Sequence, residues 1–486
     1  MDDNLQIKKL DSVDIVLPLL LMMLNFVLKG IYIAHDSLAH DEPFSVFYSQ
    51  FDIKAIINEL SKGNNPPFYE IFLHFWTAIF GISELSVRFP SLIFSTVTVI
   101  FIYQIGKRNF NSKVAVISAL LFIFSNYQII YAHQARVYAL FAMLITISMF
   151  YYLELIRGSF NVNYFIALLL SNIIMIYSHY FGFFILFIQF IFIIANKVLY
   201  KKFWKILFLS ILLISISYLP HIQVLYNRFL DSTLNGTWVR PPNSLMEIFI
   251  MVKHFSNTSV VAFIALLIIA IAILRYLFLD RSLNINFSIL YIFTSFIFPL
   301  FFIFIISYKI PMFVDRYLIL VSIPYYIVIA VSVHYIFKGT RIKYPAFILL
   351  VFLFVVTLNP KISNNTDMKE VLNIVKSLKT DKSVVYLCPA WFNLAFSYHY
   401  NPKSFINANK DNLNNYLKEE NIYPVYGVSE LKNEINNNSD KIIYVDAGAD
   451  FGLPNNGILQ YLNKKYLFIS QYKINEAFKI YEFTAK

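Results

Sequence analysis

The stretch VDIVLPLLLMMLNFVLKGIYIA at residues 13–34, followed by HDSLAHDEP at residues 35–43, decides how this chain is read. The first part is apolar and long enough, as helix, to cross a bilayer core, which takes about 20 residues. It is too long for the apolar core of a cleavable signal peptide and has no small-residue cleavage site. Ten further runs of this kind follow, near 89–104, 114–132, 138–155, 164–177, 181–195, 206–226, 259–279, 287–307, 318–337 and 344–358. The expectation is an all-α polytopic membrane bundle of about 11 spans. Composition points the same way. Hydrophobic residues make up 58% of the 486 and charged residues only 14%, so the apolar excess needs lipid as its solvent.

The net charge of +11 does not argue for nucleic acid, because the aromatic residues lie inside the apolar runs rather than among the lysines and arginines. The basic residues cluster between the runs. With a cytoplasmic N-terminus the inside segments are Lys8-Lys9, Lys107-Arg108-Lys113, Arg157, Lys197 to Lys205, Arg275-Arg281 and Lys338-Arg341-Lys343. Each is basic, as a multi-pass protein of the plasma (inner) membrane requires. Residues 35–88 then form an external loop. Within it Phe68–Ile82 is short for a span and carries Glu70 and His74, so it reads as an interfacial helix.

After Pro360 the pattern changes. A helix over Met368–Lys379 and short strands at 384–387, 422–426, 441–445, 467–472 and 478–483 predict a small extracytoplasmic α/β domain. The division expected is residues 1–359 for the bundle with its external loop, and 360–486 for the α/β domain. The stretch Asn227–Phe255, with Trp238, Arg240 and His254, reads as a further external loop, either a cover over the site or a plain connection.

Asp41-Glu42 sits just past the first span. Two adjacent carboxylates there are either solvated interfacial charge or a base and its helper. Their neighbours sharpen the choice: Gly63-Asn64-Asn65-Pro66-Pro67-Phe68-Tyr69, Phe80-Gly81, Val87-Arg88-Phe89-Pro90-Ser91, Gln134-Ala135-Arg136-Val137-Tyr138 and Asp315-Arg316-Tyr317. In this order, and on one face, these motifs resemble the GT-C membrane glycosyltransferases. The nearest pattern is the branch of protein O-mannosyltransferases and aminoarabinose transferases, over residues from about 13 to 340.

That resemblance implies transfer of a sugar from a polyprenyl phosphate or pyrophosphate carrier to a protein, lipid or glycan acceptor, with inversion. Asp41 then stands at the base position and Glu42 at its partner's. Arg88, Arg136, Lys309 and Arg316 would meet the departing phosphate, and His133, Gln134, Tyr138, His179 and Tyr317 would add substrate contacts. Asn65, Pro66 and Pro67 would shape the loop. Arg136, His179 and Arg316 also admit plainer readings, as a snorkelling side chain, a hydrogen-bonded interfacial histidine and a local ion pair with Asp315 that anchors the span. The pattern departs from the mannosyltransferases at one point: residues 136–144 hold no carboxylate.

No cofactor is required by the sequence. It shows no Walker A loop, no dinucleotide-binding glycine pattern and no His or Cys pair at metal spacing, so a divalent cation has no support. Lone Cys388 excludes an internal disulfide. Two other classes share the apolar architecture: a transporter or flippase, and a surface-polysaccharide polymerase or ligase, both acting on lipid-linked glycan. The first would want charges near mid-membrane and the second a large late loop. Here the charges sit at span ends and the motifs concentrate early.

Overall fold

The computed structural model describes residues 12–63, 65–158, 160–279, 287–362, 367–406, 410–434, 440–451, 455–475 and 478–486. Asn64, Arg281 and the run 364–366 therefore lie outside the described residues. In chain order the helices are α1 Ser12–Gly30, α2 Glu42–Tyr48, α3 Ile53–Leu60, α4 Phe68–Phe80, α5 Glu84–Asn109 and α6 Ser112–Ile123. Next come α7 Asn126–Ala132, α8 Tyr138–Arg157, α9 Val162–Ser178, α10 Gly182–Ala195, α11 Lys197–Leu234 and α12 Met246–Phe255. The series continues with α13 Ser259–Phe278, α14 Phe287–Ile306, α15 Ile319–Ile336 and α16 Lys343–Val356.

All eleven apolar runs fall on these helices. Among the described residues, six helices can each cross a membrane by length and apolarity, among them α5, α8, α11, α13 and α14. The sixth runs from Asp315 through α15, and the pair α6 and α7 passes the test together but is bent by 63°. Five more apolar helices are shorter, including the one at 68–80. Asparagine ends several loops. Asn111, Asn161 and Asn196 each accept two backbone N–H groups at the start of α6, α9 and α11, which satisfies donors that no helical carbonyl can reach.

Two expectations change. The stretch read as a loop at 227–255 is largely helical: α11 runs on to Leu234 and α12 begins at Met246. The reason is local, since nothing between Tyr226 and Leu234 breaks a helix, and Gly236 takes φ +78° just beyond its end. The second change concerns division. The chain forms two compact units, and the second contains residues 34–56 and 70–87 as well as 363–486. Most of the stretch read as the first external loop thus belongs with the C-terminal region.

The second unit is built on a five-stranded sheet of order β2-β1-β3-β5-β4, with β1 Ser383–Cys388, β2 Ile422–Pro424, β3 Lys441–Ala447, β4 Leu467–Lys473 and β5 Phe478–Thr484. β2, β1 and β3 are parallel, and β5 and β4 join antiparallel. All five strands lie where alternation placed them. One face packs on α17 (Met368–Leu378) and α18 (Asn393–Tyr400) through Val371, Leu372, Val385, Val445 and Phe396, and Ala39 of the first loop is buried in that same core.

Candidate active site

Asp41 lies immediately before α2, whose proline at the second position is pre-set for a helix start. Its side chain makes no capping hydrogen bond to α2, so the helix does not consume the carboxylate. His40 ahead of it adopts φ 54°, a left-handed conformation costly for a side chain with Cβ. Glu42 is buried at 3% exposure, and one turn on Ser45 donates to Glu70 at 2.7 Å.

What holds this strained corner is the C-terminal domain. The His399 Nε2 atom lies 2.8 Å from the carbonyl of Leu38 and donates to it. The Leu38 amide itself donates to Glu84, at 3.3 Å. Tyr398 donates to the carbonyl of Ile82 at 2.9 Å, Gln50 to that of Phe405, and Phe47 packs on the Phe405 ring. The sequence attaches no role to His399. No signal in the chain pairs it with Leu38, because backbone carbonyls carry no residue identity.

The first unit gathers another set. His179, in the turn between α9 and α10, lies flat on Phe141 at 4.7 Å, with Tyr317 at 5.4 Å and Phe181 at 5.2 Å. Its Nδ1 accepts the amide hydrogen of Phe181 at 3.1 Å, which leaves the proton of the neutral ring on Nε2. That Nε2 is buried and meets no hydrogen-bond partner among the described residues. Burial first, then the fields of Arg136 and Arg316, pushes the pKa down to about 3, so the ring is neutral at any working pH. Arg316 lies over the Trp238 ring at 4.6 Å, and Tyr138 meets Tyr131 at 5.2 Å. Two guanidiniums around a neutral N–H donor, walled by aromatic rings, suit an anion whose other end is apolar.

The remaining sequence candidates divide. Arg88 is 1% exposed and donates to the Ile33 carbonyl, and His133 donates to that of Lys29. The Gln134 carbonyl accepts from Ser91. These three tie α1, α5 and the 133–137 turn together. Lys309 is exposed after α14, and its field is not among those acting on His179. Asn65, Pro66 and Pro67 are buried at the entry to α4. Sequence reading missed Tyr131, Phe141 and Phe181, apolar-run aromatics with nothing to mark them out. It also missed Lys29, fully buried on α1 with Ser95 at 3.1 Å and the Phe122 ring at 4.2 Å. Its lysine inside the first apolar run was the available signal. Among the described residues no group of three or more His, Cys, Asp or Glu could hold a metal ion.

Residues 64–222 match the family model described as dolichyl-phosphate-mannose-protein mannosyltransferase. The matched stretch includes Arg88, Arg136 and His179 and begins after Asp41. None of the curated proteins matches by sequence. Among solved structures, ArnT from Cupriavidus metallidurans bound to undecaprenyl phosphate aligns with a TM-score of 0.58 at 10% identity, covering 97% of this chain and 98% of that one. The archaeal oligosaccharyltransferase AglB from Archaeoglobus fulgidus, in complex with an inhibitory peptide and a dolichol-phosphate, aligns with a TM-score of 0.54 at 11% identity, covering 97% and 74%. This chain is thus a multi-pass membrane protein with the GT-C fold.

Proposed function

We propose that this protein is a membrane glycosyltransferase that moves a sugar from a polyprenyl phosphate or pyrophosphate carrier to a protein, lipid or glycan hydroxyl on the extracytoplasmic face. The basic character of Lys107-Arg108-Lys113, Lys197 to Lys205 and Lys338 to Lys343 supports a cytoplasmic N-terminus and an extracytoplasmic C-terminal domain. In the reaction the acceptor oxygen attacks the anomeric carbon from the face opposite the phosphate. The bond from that carbon to the phosphate oxygen breaks, and the acceptor proton passes to Asp41. Charge builds on the leaving phosphate, where Arg136, Arg316 and the Nε2–H of His179 stabilise it. Arg88 serves as a brace, and Glu42 supports Asp41.

The observation that carries this reading is the place of Asp41, on a corner that His399 and Glu84 hold through Leu38. A neutral amide in its place keeps the shape and removes the base. Asp41→Asn is expected to insert and fold normally and to lose transfer of radiolabelled sugar from lipid carrier by at least about 100-fold, the scale of general-base catalysis. Transfer at the wild-type rate would end the assignment.

A further inference from the structure

At the end of the bundle that carries Arg108 and Arg157, a cleft of about 370 Å³ opens between α5, α8, α11 and α14. Its polar lining is Arg108, Asn109, Arg157, Asn196 and Ser288. Ile156 and Phe287 give it an apolar side. Glu154 of α8 is 6% exposed and accepts from both guanidiniums, Arg108 at 2.7 Å and Arg157 at 2.5 Å. One carboxylate against two guanidiniums leaves a net positive charge.

Among the described residues, donors are also left over. A guanidinium has five N–H groups. Arg108 gives one to Glu154, while Arg157 gives one to Glu154 and one to the Arg108 carbonyl. Both side chains are close to half exposed, at 42% and 43%. Charge and donors therefore reach the cleft without breaking the pairs that hold them. Beyond Ile156, which lines both spaces, a second cavity of about 40 Å³ lies among Tyr152, Phe190, Phe203 and Leu207. The charged cleft and the small, mostly apolar cavity thus share Ile156 of α8 as a wall.

That sequence of surfaces fits an ion with a hydrocarbon tail and not a soluble anion, which would gain nothing from the apolar side. Val198 and Phe208 of α11 are 75% and 65% exposed, as befits a helix bathed in lipid. Lys197 and Lys202 add positive charge on its first turns. We propose that this cleft binds the phosphate headgroup of an anionic phospholipid, with Arg108 and Arg157 on the phosphate and the start of an acyl chain against Ile156 and Phe287. The site is separate from the transferase assignment and stands or falls without it.

Native mass spectrometry of the full chain, released from phosphatidylcholine nanodiscs doped with phosphatidylglycerol, tests this directly. One retained phosphatidylglycerol per chain is expected. Arg157→Gln should weaken retention about tenfold, the scale of a lost charge-assisted hydrogen bond. Lys201→Gln removes the same charge from the same end but outside the lining, and should leave retention unchanged. Glycerol 3-phosphate should not displace the lipid. Equal retention of phosphatidylcholine, wild-type retention by Arg157→Gln, an equal loss in Lys201→Gln, or displacement by glycerol 3-phosphate would each overturn the proposal. A photoactivatable phosphatidylglycerol on the unmodified protein reads the site without any variant. Adducts should map to residues 153–157 and 196–199, and adducts scattered over the bundle would overturn the site even if Arg157→Gln failed to fold.

Discussion

The imidazole of His179 rests on Phe141, takes the Phe181 amide hydrogen at Nδ1 and sits in the fields of Arg136 and Arg316. Its folded pKa near 3 lies below the ordinary value of about 6.5. The sign follows from proton counting: between those values the unfolded chain binds a proton that the folded chain refuses. Stability is therefore lost as pH falls below about 6.5, by roughly 2 kcal/mol at pH 5. His179→Phe keeps the packing and removes the titration. Between pH 7 and pH 5 the thermal midpoint of the unmodified protein should fall further than that of His179→Phe, measured in the same detergent. The sequence marks His179 only as a histidine in a short turn between apolar runs. Its neutrality comes first from burial and then from two arginines more than 40 residues away in either direction, and no local pattern carries that.

At the scale of elements, α5 and α6 approach so closely that backbone meets backbone. A Cβ added at Gly106 would stand 2.6 Å from Ala115 Cα and 2.9 Å from its amide nitrogen, and neither can give way as a flexible side chain could. Small residues permit such approach between membrane helices. Gly106→Ala should cost about 1–3 kcal/mol through forced separation of the two helices, read as a lower thermal midpoint with helix content intact.

The hold on the Asp41 corner is another property of elements. His399 and Tyr398, neighbours on α18, each donate to a carbonyl of a different segment, Leu38 and Ile82. The double variant His399→Ala, Tyr398→Phe removes both bonds at about 1 kcal/mol each. If α18 positions the base, turnover should drop several-fold while KM for the carrier holds, and His399→Gln with Tyr398 intact should restore most of it. A merely structural role would lower the thermal midpoint and leave the kinetic split unmoved. Helices and strands were legible because their periods and caps are local. The 63° break between α6 and α7, and the extension of α11, depend on neighbours that no window of sequence contains.

For the whole molecule, the informative departure from chain order is that residues 34–56 and 70–87 share a unit with 363–486. Composition shifts at Pro360 and invites a cut there, but composition reports solvent, not partnership. Ala39 looks like any small loop residue until it is found in one core with Val371, Phe396 and Val445. A chain ended after residue 362 should insert and keep its helices, yet lose transfer altogether. Its segment 34–56 should become sensitive to protease added at the face where that segment lies, whereas the full chain resists. Survival of transfer in the shortened chain would refute a working role for the sheet domain.

The bond from His399 to Leu38 spans 361 residues of chain. A ribosome adding about 5–20 residues per second needs roughly 20–70 s to make that distance. Throughout that interval the newborn corner exists without the surface it leans on. On the proposed function, an unfinished copy would sit in the membrane with its Asp41 corner loose and would leave carrier-bound sugar unspent.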